Sequence, residues 1–566
     1  MKKALFLCGL FMQYVSIYSQ TPSCLQADDH LIIVGSGIAA AVESLCAYVD
    51  SVVHNTLLKI TILEKSSSID QSPATQIAPS LTADEIVSVV PRGAALIEKS
   101  QILFSEPNGI RVDDVPGIHG SAVTQRFQEQ AEVYSLDDVG HQQRSQDLLL
   151  LGKMSMDMWQ QLYINADDEL QAIFKASNFN PCYESQFGGD RNLHQGYRID
   201  LIFNIADAAV RAEGMKADYT KLGYEQCAIL TPAQVTVLDP SLAQFCKDHS
   251  TIHVDGFAQW NNDSVALWRP GGCLDASVFI PRLYEYLQKK MGIFVDEFGV
   301  ECNCFQIHCS ADVTGVEFGL NDDGQSILKG LQINHDQMLY PSSQDAVTYL
   351  FCPGQSVGTL HSFGFSEPAY SGFAGAVLKL TIDIPEDRFD DVAMFNHYME
   401  LHQQGIVLAW QARLKNNKIF IAVGGTKAFY GDQIPNKDQA FAVNRNILQL
   451  NVINNVLPEF VSWAFGRDTH GQILTEQDLY DLEAAGIAQR WVGLRGVAYD
   501  GFPTIGHVYK DGQPVMNARC TTHLGSGGVS FAPAVAYMSR AVFNPALQID
   551  EFVQRILAYG NSARQA

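Results

Sequence analysis

At 566 residues, with 47% hydrophobic and 18% charged side chains, the chain is long and apolar enough to bury a sizeable core and argues against extended disorder. Its 38 lysines and arginines stand against 62 acids, a net charge of −24, so the mean surface potential repels polyanions. The acids are scattered in pairs such as Asp113-Asp114, Asp137-Asp138 and Asp390-Asp391, no basic block interrupts them, and no nucleic-acid partner is expected.

The N-terminus carries Lys2-Lys3, then the apolar "ALFLCGLFMQYVSI", then small and polar residues through Ser19 and Ser23, the order of a secretory signal peptide over residues 1–23. The apolar stretch is shorter than the about 20 residues that span a bilayer. A periplasmic or secreted protein is therefore expected; an uncleaved anchor is the alternative, and peripheral membrane association is left open. Cys24 lacks the Leu and small residues that precede a lipidated cysteine. Of twelve cysteines, Cys8 would leave with the signal, and no disulfide framework is legible among the remainder.

From His30 to Lys65 the pattern is strand, tight turn, helix, strand: "LIIV", two glycines, "AAAVESLCAYV", then "KITILEK". Gly35, Ser36, Gly37 and Ala40 fit G-x-G-x-x-A. By itself that pattern serves equally a phosphate cradle at a helix N-terminus or a bare tight turn. Glu64 ends the second strand 24 positions after Ala40, where an acid would bond a ribose hydroxyl, and Lys65 follows it. Together these features predict a dinucleotide site.

Residues 66–269 loosen into polar loops and helical stretches, among them "SQDLLLLGKMSMDMWQQLYINADDELQAIFKAS" and "YRIDLIFNIADAAVRAEGM", which suggest an insertion rather than more sheet. The helix "DASVFIPRLYEYLQKKMG" is expected to end at Gly292, before alternating strand segments. There Cys302, Cys304, His308 and Cys309 cluster too tightly for usual zinc spacing; core cysteines or a local disulfide are expected, and no metal is assigned. "AVTYLFCPG" places an apolar strand before the turn at Gly354, and "GAVLKLTIDI", "GIVLAWQARL" and "KIFIAVGGT" are spaced like an antiparallel sheet. Near the C-terminus "HLGSGGVSFAP", holding His523, Gly525, Ser526, Gly527 and Gly528, opens another helix. A second phosphate-type turn so far downstream suits FAD better than NAD, since a helix N-terminus there could face the isoalloxazine edge where negative charge accumulates.

These motifs, in this order, resemble the D-amino-acid oxidase/dehydrogenase superfamily of FAD enzymes, which includes the glycine oxidase and sarcosine oxidase types. The resemblance is carried by "VGSGIAAA" with "ITILEK", by "GGCLDASVFIPRLYEYLQKKMG", by "YLFCPGQSV", and by "WVGLRGVAYDGFPTIG" followed by "THLGSGG". It implies an α/β fold: a discontinuous Rossmann-type FAD-binding domain (28–100, 269–365, 489–560) and a mixed or antiparallel β-sheet substrate domain (101–268, 366–488) with a helical insertion. Non-covalent FAD would be held by Gly35, Ser36, Gly37, Ala40, Glu64, Lys65, Gly354, Gly525, Ser526, Gly527 and Gly528. Arg495 maps onto the arginine that grips the substrate carboxylate; its other reading is a structural arginine paired with an acid such as Asp500. His523 would either polarise the flavin carbonyl or satisfy loop backbone groups. Tyr370, Tyr430 and His361 are pocket candidates for which ordinary packing is the simpler expectation.

The implied reaction is oxidation of the C–N bond of an amino acid or N-alkyl amino acid by hydride transfer to flavin, with oxygen or a quinone-type carrier as acceptor. The sequence departs from the family at Ala40, where glycine is usual, at Gly496, where proline often follows the arginine, and in the length of residues 100–268. These departures admit a second reading, a flavoprotein with altered catalysis that acts as a secreted binding protein.

Overall fold

The computed structural model describes residues 29–54, 58–72, 122–135, 138–177, 179, 197–202, 208–223, 227–238, 265–270, 274–295, 301–341, 347–354, 356–388, 396–403, 406–415, 417–424, 428–431, 436–525, 528–542 and 550–561. The expected signal segment, Ser526 and Gly527 lie outside the described residues.

One sheet has six strands: β1 (Asp29–Val34), β2 (Leu58–Leu63), β8 (Phe305–His308), β12 (Val347–Phe351), β19 (Thr504–Lys510) and β20 (Gln513–Thr522). Its spatial order is β19-β20-β12-β1-β2-β8. All neighbours are parallel except β19, which closes the β20 edge antiparallel. Read along the chain, the parallel strands stand third, second, first, fourth, fifth, so the order reverses between β1 and β12. In open α/β sheets ligands bind at such a reversal, outside the carboxyl ends of the strands.

Strand β1 is apolar throughout because both of its faces are covered. Leu31 and Ile33 meet the helices α1 (Ile38–His54), α7 (Ala276–Met291) and α12 (Gly528–Ala541). Ile32 and Val34 meet the opposite layer, a three-stranded antiparallel sheet of β9 (Val313–Leu320), β10 (Ser326–Ile333) and β11 (Gln337–Leu339). The expected helix through "DASVFIPRLYEYLQKKM" is α7, opened by the Asp275 carboxylate on the Ser277 N–H and closed at Gly292, whose φ is 65°. The short strands β6 (Ile293–Val295) and β7 (Glu301–Asn303) pair antiparallel on its exit.

Helix α12 contains Pro533, which has no N–H to give the Val529 carbonyl one turn earlier. The break is repaired from outside. In α3 (Asp138–Asn165), Trp159 Nε1 donates to Val529 O at 2.9 Å. One turn before it on the same face, the Ser155 hydroxyl donates to Ser530 O at 2.6 Å and accepts the Ala534 N–H at 3.4 Å. Trp159 is fully buried among Phe174, Phe179 and Phe279, which ties α3 and α4 (Asp168–Ala176) to α7. Helix α2 (Ala122–Ser135) precedes α3, and α13 (Glu551–Gly560) packs against β19 at the end of the chain.

The second sheet has nine strands: β3 (Tyr197–Ile202), β4 (Ala228–Leu230), β5 (Val265–Pro270), β13 (Tyr370–Asp383), β14 (Asn396–Gln403), β15 (Ile406–Lys415), β16 (Lys418–Gly424), β17 (Ala428–Gly431) and β18 (Ala488–Ala498). The path is β17-β13-β16-β15-β14-β3-β5-β4, with β18 on β13; every pair is antiparallel except β14 with β3. Helices α9 (Ala440–Val456), α10 (Pro458–Phe465) and α11 (Glu476–Ala484) cover one face over Leu378, Leu380 and Ile382.

The expectation that residues 66–269 add no sheet is corrected here, because β3, β4 and β5 extend the large sheet by three strands. "YRIDLI" is a strand, with Ile199 and Leu201 in the core on one side. On the other side Asp200 is buried and ion-paired with Arg269 of β5, which also meets the Tyr219 hydroxyl of α5 (Ala208–Lys221). A fully buried acid inside a strand looks like an exposed polar position until its partner is known. Two short helices, α6 (Pro232–Leu238) and α8 (Thr359–Ser362), follow β4 and β12 along the chain.

Burial at the amino end of β1 gives a pH dependence. Burial, with a smaller contribution from Lys59, pushes His30 down to about 4, while its Nε2 lies 2.8 Å from Thr61 Oγ1. Between that value and the unfolded value near 6.5, the unfolded chain binds a proton that the native chain does not, so stability falls as pH drops through this window. The loss is on the order of 2 kcal/mol, allowing for partial exposure of the ring. His30→Gln is expected to flatten the dependence of the denaturation midpoint between pH 6.5 and 4; an unchanged slope would show that other groups carry it.

Candidate functional site

Three adjacent parallel strands, β1, β12 and β20, each end in a glycine turn on the same edge of the sheet. The first turn is sterically forced. Gly35 has φ 97°, its N–H donates to Leu63 O at 2.8 Å, and a Cβ there would lie 2.3 Å from the Cys352 carbonyl oxygen. The second turn, Cys352-Pro353-Gly354, is therefore the wall against which the first one packs. Gly354 has φ 56° and is exposed, with nothing nearer than 4.0 Å to its missing Cβ.

The third turn begins with His523, Leu524 and Gly525 after β20. Gly525, with φ 57°, donates its N–H to Gly496 O at 3.0 Å, and Leu524 bridges Val497, so this turn is bonded to β18 of the large sheet. Gly528 starts α12, and a Cβ on it would touch Ile38 at the start of α1. Farther along the same two helices, Asp50 of α1 is ion-paired with Arg540 of α12. The helices therefore run side by side in the same direction, with adjacent N-termini at the strand-reversal edge. Unsatisfied N–H groups and positive dipole ends at such a place favour an anion. The buried Glu43–Arg519 pair, at 2.5 Å, locks α1 onto β20, and burial holds the Glu43 carboxyl above its ordinary range.

Glu64 is buried at the end of β2 with its carboxylate folded over the first turn. It accepts from the Ser36 N–H at 3.0 Å, the Ser36 hydroxyl at 2.5 Å and the Ser66 N–H at 2.8 Å. From the other side the Tyr284 hydroxyl of α7 donates to the Ser36 carbonyl at 3.1 Å. Burial keeps that phenol well above its usual range, so it remains a donor. Gly37 accepts the Ala41 N–H at 2.9 Å to begin α1, where Ala40 is fully buried. Lys65 turns away from this group, exposed and paired with Asp312 at 2.8 Å.

Arg495 sits on β18, one residue before the Gly496 carbonyl that receives the third turn. Its guanidinium lies against Gly375 of β13, where a Cβ would be 2.9 Å from Cζ. Asp500, the acid of the structural alternative for Arg495, accepts the Phe502 N–H at 3.0 Å and lies 3.8 Å from Arg144.

His523 is buried in left-handed backbone, φ 56°, with Nδ1 2.9 Å from Thr504 Oγ1 and Nε2 3.1 Å from Glu367 Oε1. Its ring stacks on Tyr370, centroids 5.5 Å apart. The other Glu367 oxygen accepts the His361 N–H at 3.1 Å, and the Tyr370 hydroxyl occupies the space a side chain at Gly358 would need. This cluster also accounts for the missing proline after Arg495. A Cβ at Gly496 would stand 3.2 Å from the His523 ring and 3.3 Å from Val357.

Of the pocket candidates, Tyr370 belongs to this cluster, His361 contributes only its backbone, and Tyr430 lies on β17 bonded to Gln439 at 3.1 Å. Cys304 and Cys309 are unbridged thiols. Among the described residues no group of three or more His, Cys, Asp or Glu is arranged to hold a metal. Glu43, Tyr284, Glu367, Thr504 and Gly375 were not singled out by sequence reasoning, although the Tyr-Glu-Tyr of α7 lies within one of the family-like segments.

No protein-family model and no curated protein matches the chain. Solved structures do match in fold. Glycine oxidase from Bacillus cereus aligns over 93% of this chain and 99% of its own, with a TM-score of 0.51 and 11% identity. Fructosyl peptide oxidase from E. terrenum aligns over 97% and 94%, with a TM-score of 0.51 and 12% identity. A mutant of NikD, described as an unusual amino acid oxidase essential for nikkomycin biosynthesis, aligns over 96% and 99%, with a TM-score of 0.51 and 11% identity. The chain therefore has the fold of these oxidases along nearly its whole length.

Proposed function

We propose that the chain is an FAD-dependent oxidoreductase that oxidises the C–N bond of an amino acid or N-alkyl amino acid. One observation carries this reading. Three glycine turns meet beside two parallel helix N-termini, and Arg495 stands one residue from the strand position bonded to the third turn.

The residues fit the cofactor. A pyrophosphate needs backbone N–H donors that it can approach closely, which the starts of α1, after Gly37, and of α12, at Gly528, offer. Glu64, at the end of β2, has the carboxylate that a ribose hydroxyl would bond in place of Ser36. FAD, when bound, supplies a two-electron acceptor for the hydride leaving the substrate α-carbon.

The chain's own part is binding and orientation. Arg495 would take the substrate carboxylate with a planar, permanently charged fork and so fix where the α-carbon points. An amine that enters neutral and gives up a hydride leaves as the protonated imine, and no general base is required. Water then hydrolyses it to a keto acid and ammonium, or to an aldehyde where a secondary amine is oxidised on its N-alkyl carbon. For His523, whose ring nitrogens face Thr504 and Glu367, holding the third turn is the better supported of its two roles. The acceptor is oxygen or a quinone-type carrier, and export through the N-terminal segment belongs to the same reading.

The test is anaerobic addition of D-, L- and N-methyl amino acids to the purified protein while its visible spectrum is recorded. Bleaching by one class supports the reading and names the substrate. A yellow protein that no amine bleaches would favour the binding-protein alternative.

A further inference from the structure

Strands β13 and β18 pair antiparallel with Phe373 opposite Arg495 and Gly375 opposite Gly493. Directly opposed residues share a face, so Arg495 leaves the sheet beside Phe373, and the next position on that face along β13 is Gly375. A Cβ at Gly375 would lie 2.9 Å from Cζ, 3.0 Å from Nη2 and 3.1 Å from Nη1 of Arg495. Near-equal distances to the carbon and to both nitrogens put that position over the flat face of the guanidinium. The fork thus lies down on a floor that has no side chain at Gly375 or at Gly493 opposite it. Nothing about the Gly375 backbone itself calls for glycine, because it sits in a regular stretch of strand and is absent from the positive-φ residues. What the glycine provides is room for the guanidinium.

We infer that Gly375 is a positioning residue for the substrate carboxylate: the absence of a side chain there sets the height and tilt of the Arg495 fork. This rests on the reading of Arg495 as the carboxylate clamp. A methyl group at 375 would lift or tilt the fork and turn a two-pronged contact into a one-pronged one, weakening carboxylate binding while leaving the reacting centre intact. Because the displaced group is the far end of a long side chain rather than backbone, the variant is expected to keep its fold.

The test is a cycle of wild type, Gly375→Ala, Arg495→Ala and the double variant, assayed with the D-, L- or N-methyl amino acid that the wild type oxidises fastest and with the carboxamide of the same compound. Gly375→Ala is expected to raise KM for the carboxylate about tenfold with kcat within about twofold, to leave the carboxamide unaffected, and to add nothing in the Arg495→Ala background. An unchanged KM in Gly375→Ala beside a raised KM in Arg495→Ala overturns the inference and leaves the clamp standing, as does an equal effect of Gly375→Ala in both backgrounds. An unchanged KM in Arg495→Ala overturns the clamp and the inference with it. Should Gly375→Ala alone fail to fold, a folded double variant supports the inference, since the clash is then with Arg495; a double variant that also fails to fold overturns it.

Discussion

Replacing Gly35 by alanine is expected to cost the protein its flavin and more than 3 kcal/mol of stability, roughly, the sum of left-handed strain and a contact the backbone cannot relieve. The new Cβ would stand 2.3 Å from the Cys352 carbonyl oxygen and 3.2 Å from its carbon, so β1 and β12 must separate where the sheet reverses its order. Cys352 N–H to Val34 O at 2.9 Å holds that junction, and Gly35 N–H to Leu63 O at 2.8 Å ties the same turn to β2; both would be strained. Gly354→Ala is the control. It also has positive φ but meets nothing nearer than 4.0 Å, so only about 1 kcal/mol of backbone strain is expected. Flavin content after purification and the denaturation midpoint check both; a Gly35→Ala protein with full flavin would show that the first turn does not hold the cofactor.

Arg495→Ala is expected to lower kcat/KM for a carboxylate substrate about 10²–10³-fold, the order expected when a two-pronged, charge-assisted contact is lost. Most of the effect should appear in KM, because the carboxylate is held in both ground and transition states. Steady-state kinetics with an amino acid and its carboxamide check it. Loss of the preference for the carboxylate supports the clamp, and a protein that loses stability while keeping the preference supports a structural arginine.

The first βαβ unit was legible because its cues are local: an unbroken apolar run, a glycine where φ must be positive, and an acid at the end of the next strand. The strands β13, β15 and β16 were legible from apolar segments spaced like an antiparallel sheet. "YRIDLI" was not, since Asp200 is buried against Arg269, 69 residues away, and nothing local distinguishes such an acid from a solvated one. The glycine turns at Gly35, Gly354 and Gly525 could each be found in the sequence, but their convergence depends on β12 lying between β1 and β20. Glu43, bonded to an arginine 476 residues away, and Gly375, whose role exists only because Arg495 lies over it, have no sequence signal of their own.

The most direct measurement is the identity and amount of flavin in the purified chain. The account predicts a yellow protein that releases one FAD per chain on denaturation, without covalent attachment and without FMN. A colourless chain that takes up no FAD, or one that holds FMN instead, would contradict it, because the paired helix N-termini and Glu64 would then have no dinucleotide to bind.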